Sequence, residues 1–364
     1  MANIYTLYTM DNSPYSDKIR GLLNYKRIPF TEITENLEIR FSVLQARTGK
    51  TMVPVLITPD DQAFNDSTPM AAFLEEQHPQ PPTRWTGAGG AADAGIDALA
   101  MLLEDYADEW LVRIMLCSRW YHAADSQQNA VIIATGMSRG LYGIDYQQIA
   151  RDFPPGIIST VPRMGATPEN AEGWYAMLPR ILGALASAVQ NSDYLSGSSA
   201  HLVDFSFYGM LNQMRRDPSG CAWLTEAPEA VSAWLGRLEE QLKSGGPSSG
   251  TARSDAEALA PLLAEAAATY FRMAVANTLA VEAETKDPVR ATLADGFEFE
   301  APPAKYNRKM LGNDLDILER LYGSGGVLPA PCEELLLTEL EPLAKAPSAL
   351  LSERPTLAAR LSSV

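Results

Sequence analysis

A chain of 364 residues exceeds what one ordinary core supports and predicts two domains or more, while a composition 46% apolar and 20% charged is that of a globular protein. The formal charge of −16 argues against nucleic acid or an anionic membrane surface as the main partner, because either needs a basic face. Three cysteines (Cys117, Cys221, Cys332) and three histidines (His78, His122, His201) lie far apart, without redox, zincin-like or metal-ligand spacing, so neither a structural disulfide nor a metal site is expected. No run approaches the roughly 20 apolar residues of a membrane span. The opening Met1-Ala2-Asn3-Ile4-Tyr5 has no basic segment followed by an apolar one, and a cytoplasmic chain is expected.

The first 80 residues alternate strand and helix. Strands are predicted at Ile4–Tyr8, Phe30–Ile33, Val55–Ile57 and Ala63–Asn65, helices at Ser16–Lys26 and Thr68–Gln77, and a helical stretch near Phe41–Arg47. Residues 79–95, rich in Pro, Gly, Ala and Thr, read as a linker. From Ile96 to about Lys243 the pattern is helical. Leu99, Leu102, Leu103, Tyr106 and Trp110 share one buried face, and further helices are expected at Glu172–Ser187 and from Val203 onward. The insert at 144–168 carries several prolines and glycines and reads as loop-rich, with no role evident for Arg163 or Met164. The run Ser-Gly-Gly-Pro-Ser-Ser-Gly at 244–250 reads as a flexible joint. Beyond it, one long helix from Leu259 to Ala274, a hairpin with Asp295-Gly296 between Val289–Leu293 and Phe297–Phe299, and a helix Met310–Leu321 make up a third unit. The expected domains are therefore 1–80, 96–243 and 251–364.

Chemistry concentrates at three places in the first unit. Ser13-Pro14-Tyr15-Ser16 joins the first strand to the first helix, with serine at the N-cap and proline at the first helical position. A hydroxyl there sits beside unpaired N–H groups and the positive end of the helix dipole, a place that holds an anion such as a bound thiolate. Tyr15, Ser16 or Tyr8 are the alternative sources of that hydroxyl. Val53-Pro54 leads into an apolar strand and is a candidate cis bond that would expose the preceding N–H and C=O to an extended peptide. Asp66-Ser67 opens the last helix of the unit, where an acid and a hydroxyl can hold an amino group and a carboxylate together. As plain structure, Ser13 is an N-cap worth about 1 kcal/mol. Asp66 and Ser67 have the same reading, and Pro54 is then a strand-entry proline.

These residues carry a resemblance. The order βαβ then ββα is thioredoxin-like, and the glutaredoxin turn with its two cysteines is similar to 13–16, where both are serine. Residues 1–80 resemble the amino-terminal domain of the glutathione transferase superfamily, and residues 96–243 its all-helical second domain. The third unit resembles carboxy-terminal extensions of some longer bacterial members. The resemblance implies an α/β thioredoxin-like domain, an all-α domain and a mainly helical extension, with glutathione as co-substrate and no metal. Ser13 then matches the catalytic serine or cysteine, Val53 the residue whose backbone pairs with the cysteinyl unit, and Pro54 the cis-proline. Asp66 and Ser67 match the pair that binds the γ-glutamyl end, and Lys50 is the partner for the glycyl carboxylate. Met10, Tyr106, Trp110 and Arg113 are the expected substrate pocket. Val203-Asp204-Phe205 is similar to the family's buried capping-box helix, with His201 in the cap position, so Asp204 is expected to cap alone.

The implied activity is activation of the glutathione thiol for attack on a small electrophile, with ether cleavage, dehalogenation and isomerisation in the same class. A two-fold homodimer is the implied assembly. The alternative is a non-catalytic binder whose extension mediates protein contacts. Tyr106 and Trp110 read equally well as core, Cys117 reads as a buried small hydrophobe, and Asp105 with Asp108 as a solvated face rather than an acid–base pair.

Overall fold

The computed structural model describes residues 4–84, 91–195, 197, 199–244, 256–293 and 296–362. Four short strands open the chain: β1 (Tyr5–Thr9), β2 (Phe30–Thr34), β3 (Val55–Ile57) and β4 (Ala63–Asn65). They form one sheet in the order β2-β1-β3-β4, with β1 and β2 parallel and β3 antiparallel to both its neighbours. Every second residue of β1 is buried, and Leu7 faces Leu56 of β3 across the sheet, both fully buried. The parallel pair is joined by the helix Pro14–Tyr25, which Ser13 caps, and the sheet is followed by the helix Ser67–Gln77, which Asp66 caps. This is the thioredoxin-like unit expected, its strands within one residue of the predicted bounds. The helical stretch is longer than predicted: Leu37–Ile39, a π turn at Arg40–Gln45, and Ala46–Thr48.

The remainder is mainly helical. Ala91–Tyr106 begins before the expected Ile96 and continues through a π turn, Ala107–Leu111, into Val112–Tyr121. The predicted face of Leu99, Leu102, Leu103, Tyr106 and Trp110 is fully buried. The insert expected to be loop-rich instead folds as the helix Tyr146–Ile158 and a short 3-10 turn, Val161–Met164. Asp145 caps that helix by accepting from the N–H groups of Gln147 and Gln148, which, with an amphipathic face, outweighs Pro154 and Pro155 inside it. The helix Leu202–Met214 has a complete capping box, correcting the expectation that Asp204 caps alone. His201 Nδ1 accepts from the Val203 N–H at 3.4 Å while Asp204 accepts from the His201 N–H at 2.9 Å. Asp204 also takes the Leu195 N–H and the Trp234 indole N–H, each at 2.9 Å.

Residues after 256 pack onto these helices and share one continuous buried core with them. Ala256–Ala266, a π turn at Ala267–Phe271 and Arg272–Glu282 form the long helix expected, lying along Ala171–Val189. Strands β5 (Val289–Thr292) and β6 (Glu298–Ala301) form the predicted hairpin, although Asp295 lies outside the described residues. Phe297 and Phe299 press on the Trp174 ring, and Phe299 also meets Trp110. The helix Lys305–Gly323, predicted as Met310–Leu321, packs on Ala91–Tyr106, and the helices Ala330–Lys345, Ala349–Ser352 and Pro355–Leu361 follow without counterparts among the predicted elements. The proposed joint at 244–250 lies outside the described residues beyond Ser244. Cys117 and Cys332 are buried and Cys221 is exposed. Among the described residues no helix is long and apolar enough to cross a membrane.

Candidate functional site

The loop before the first helix is held from outside by the helical unit. Arg119 Nη1 donates to the Asn12 carbonyl at 2.7 Å, Gln213 Nε2 to the Asp11 carbonyl at 3.1 Å, and Asn12 Nδ2 to Asn129 at 3.0 Å. So anchored, Ser13 takes an extended N-cap conformation, and its Oγ accepts from the Ser16 N–H at 3.2 Å. Among the described residues this hydroxyl makes no other hydrogen bond, so its proton is free to meet a ligand. The alternative hydroxyls are committed elsewhere. Tyr15 donates to the Asp108 carbonyl at 2.8 Å, Ser16 is fully buried and accepts from the Met10 N–H, and Tyr8 lines neither cavity described below.

Val53-Pro54 is cis, as expected. Among the described residues neither the N–H nor the C=O of Val53 is taken by another group. Asn65 secures the turn by donating to the Met52 carbonyl at 3.0 Å. Asp66 sits at φ 100°, a conformation costing on the order of 1–3 kcal/mol for a residue with a Cβ and one that clusters at ligand sites. Its carboxylate accepts from the Thr68 N–H, and Ser67 beside it is buried.

Two cavities meet at Tyr15, Met52 and Val53. The larger, about 640 Å³, is mostly apolar: Met10, Val112, Met115, Leu116, Trp120, Ile133, Met137, Phe153 and Ile157 line it together with Ser13, Glu35, Arg40 and Arg119. The smaller, about 390 Å³, holds Lys50, Val53, Pro54, Asp66 and Ser67, with Asp105, Asp108 and Glu109 from the second unit and Tyr306 and Met310 from the extension. Ser13 and Met10 therefore share one cavity, and Lys50, Pro54, Asp66 and Ser67 the other, with Val53 at their junction.

Three expected pocket residues lie elsewhere. Tyr106 and Trp110 are fully buried, Tyr106 against Phe207 and Tyr270, Trp110 against Trp174 and Phe299. Arg113 is a buried strut, donating to the carbonyls of Glu109 and Met164 at 2.8 and 2.7 Å and to Asn307 at 3.2 Å. The extension covers the helix face on which these residues sit, leaving Val112, Met115, Leu116 and Trp120 to line the cavity. Their own spacing of three, one and four was the available signal. Asp105 and Asp108 are likewise buried rather than solvated, at 6% and 4% exposure, because Tyr270 donates to Asp105 and Lys18 pairs with Asp108 at 2.6 Å.

Glu35 was also missed. It is 2% exposed in the wall of the larger cavity, held at 3.1 Å by Arg40, whose guanidinium lies over the Phe153 ring. Burial outweighs Arg40 and pushes its carboxyl up to about 7. Between about pH 4.5 and 7 the folded chain therefore binds more protons here than the unfolded one, so stability falls as pH rises through that window. Glu35→Gln is expected to stabilise the protein by up to about 3 kcal/mol at pH 8 and by nothing below pH 4.5. Urea unfolding at the two pH values checks this, and an equal effect at both contradicts it.

Residues 7–82 match the family model described as glutathione S-transferase, N-terminal domain. No curated protein matches the chain. Solved structures similar to it include a glutathione S-transferase from Methylobacterium radiotolerans in complex with glutathione sulfonate, at 18% identity, covering 69% of this chain and 98% of that one, TM-score 0.39. The beta-etherase LigF from Sphingobium sp. strain SYK-6 is 17% identical, with 67% and 100% covered and a TM-score of 0.47. Rice GST1 in complex with glutathione is 15% identical, with 68% and 92% covered and a TM-score of 0.45. Residues 7–82 of the chain are thus similar in sequence to the amino-terminal domain of glutathione S-transferases.

Proposed function

We propose that the chain binds glutathione across the junction of the two cavities and activates its thiol, the Ser13 hydroxyl donating a hydrogen bond to the sulfur as the thiol proton leaves to water. The observation that carries the reading is the uncommitted Ser13 O–H, at a helix N-cap and in the wall of an apolar cavity large enough for a small electrophile. The free Val53 N–H and C=O support an extended peptide passing from one cavity to the other, with Asp66 and Ser67 for its γ-glutamyl end and Lys50 for its glycyl carboxylate. In this reading the nucleophile belongs to glutathione and Ser13 stabilises its anion. Lowering a thiol from about 8.5 by one to two pH units requires roughly 1.4–2.7 kcal/mol, within reach of a charge-assisted hydrogen bond and a helix terminus. Conjugation, ether cleavage, dehalogenation and isomerisation all begin from such a thiolate. The extension supplies none of the described lining of the larger cavity, which favours catalysis over a binder with a blocked cleft. A cytoplasmic homodimer acting on a small electrophile completes the reading.

Ultraviolet difference titration of bound glutathione tests it. The wild type is expected to show the thiolate band one to two pH units below free glutathione, and Ser13→Ala to bind glutathione without that shift. Binding with no shift in either protein would mark a ligand carrier instead of an enzyme.

A further inference from the structure

One buried contact between the extension and the helical unit is short of protons. Asp105 on Ala91–Tyr106 and Asp314 on Lys305–Gly323 are 6% and 1% exposed, and their carboxyls lie within hydrogen-bonding reach of each other. The Tyr270 hydroxyl, from the π turn Ala267–Phe271, donates to Asp105 and stands 3.4 Å from Asp314 Oδ2. A hydroxyl brings one proton, and this one is directed at Asp105. Asp314 Oδ1 is buried without a hydrogen-bond partner. Two ionised carboxylates meeting in a buried seam repel strongly, so the contact closes only when one of them carries a proton. Nearby cations are engaged elsewhere: Lys18 with Glu104 and Asp108, Arg113 on the carbonyls of Glu109 and Met164, and Arg354 with Asp316. Arg272 pairs with Glu339, Arg308 with Glu282 and Arg360 with Glu333. The remaining titratable neighbours, Glu104 and the Glu109–Tyr306 pair, bring no positive charge.

We infer that Asp105 and Asp314 share one proton across this seam and form a clasp: with the proton in place the carboxy-terminal extension is held on the helical unit, and when it leaves to solvent the two anions loosen the helix Lys305–Gly323. Burial, and then Glu109 for Asp105 and Asp105 for Asp314, lift both carboxyls well above the ordinary carboxylate range. A carboxyl raised in this way contributes its full stability below its unfolded value and loses that contribution as pH rises through its folded one, so the seam weakens on the alkaline side. Asp314 and Tyr270 both belong to the extension, while strands β1 and β3 take no part in the seam, so the loosening is local. The clasp needs no ligand and is independent of glutathione binding.

Hydrogen–deuterium exchange of the full chain at about pH 6 and about pH 8.5, with labelling times scaled for the intrinsic rate, tests the clasp. Amides of 305–323 and 267–282 are expected to lose at least about 10-fold more protection at the higher pH than those of β1 and β3, a shift of one pH unit being tenfold. Asp314→Asn removes one ionising group and offers an amide N–H to Asp105, so in it the excess loss should shrink to less than about 3-fold. An excess loss as large in Asp314→Asn as in wild type would overturn the clasp. Should the variant fail to fold, wild type decides by itself: protection of 305–323 that follows β1 and β3 at both pH values overturns the inference.

Discussion

Gly209→Ala is expected to destabilise the protein by about 2 kcal/mol, even though alanine is the better helix former. Gly209 lies inside the helix Leu202–Met214, where exchange for alanine contributes about 1 kcal/mol of helix propensity. A Cβ at this position, however, would lie 2.4 Å from the Pro14 carbonyl oxygen and 3.4 Å from the Lys18 nitrogen. Both are backbone atoms of the first helix, so no side-chain rotation relieves the overlap and the helices must separate. Overpacking of that kind costs about 3 kcal/mol, larger than the propensity gain and opposite in sign. Because the contact is at Pro14, the residue after Ser13, separation also shifts the hydroxyl from the cavity wall. A lower denaturant midpoint together with weakened thiolate formation is the expected pair of results. A raised midpoint would show that the helices yield freely, and the close approach would then have no structural meaning.

How much of this was legible in the sequence follows from how local each signal was. The sheet unit came through nearly intact because its cues lie within a few residues of what they specify. Ser13-Pro14 starts one helix, Asp66-Ser67 starts another, and the alternation of β1 sets its buried face. The same locality puts Ser13, Val53, Pro54, Asp66 and Ser67 along two cavities that meet at Val53. The errors are long-range. Tyr106 and Trp110 were recognised as a buried face, but whether a buried face borders a cavity depends on what covers it, and here Tyr270 and Phe299 arrive from the extension. Asp105 and Asp108 have the spacing of a solvated face, yet their partners, Tyr270 and Lys18, stand 165 and 90 residues away. No periodicity within a single helix encodes such a pairing.

Those distant partners show how the site is held. Lys18 of the first helix reaches both Glu104 and Asp108, and Thr68, in the first turn of the Ser67–Gln77 helix, donates to Glu104 at 3.1 Å. The two helices whose starts carry Ser13 and Asp66-Ser67 are thus both fastened to Glu104, and the first also to Asp108. Backbone at two helix termini is set in register by one buried ionic cluster, and the π turn at Ala107–Leu111 presents Asp108 within it.

Lys18→Met is therefore expected to be the most damaging single substitution in this cluster. Lys18 is 1% exposed, and its charge persists there because Asp108 and Glu104 together outweigh the cost of burial, holding its pKa above the ordinary lysine range. With one cation for two acids the cluster is short of positive charge, and burial with the nearby Glu104 pushes the Asp108 carboxyl up to about 7 despite Lys18. Methionine fills a similar volume, so the packing loss is small and the electrostatic loss dominates. Two buried carboxylates are left without their cation, which costs about 3–5 kcal/mol near neutral pH. The direction with pH follows from the charge being removed. Above about pH 7 Asp108 ionises in the wild type, while in the variant the loss of Lys18 raises its carboxyl further and the penalty grows with pH; at lower pH a protonated Asp108 carries no unpaired charge and the variant approaches wild type. The stability difference between the two proteins, measured by denaturant unfolding from pH 5 to 8, should widen as pH rises. A difference that stays constant would mean that Lys18 contributes through packing alone. At the same time, release of the first helix start should weaken glutathione binding, since Ser13 loses its anchor while Thr68 still holds the Ser67–Gln77 helix to Glu104.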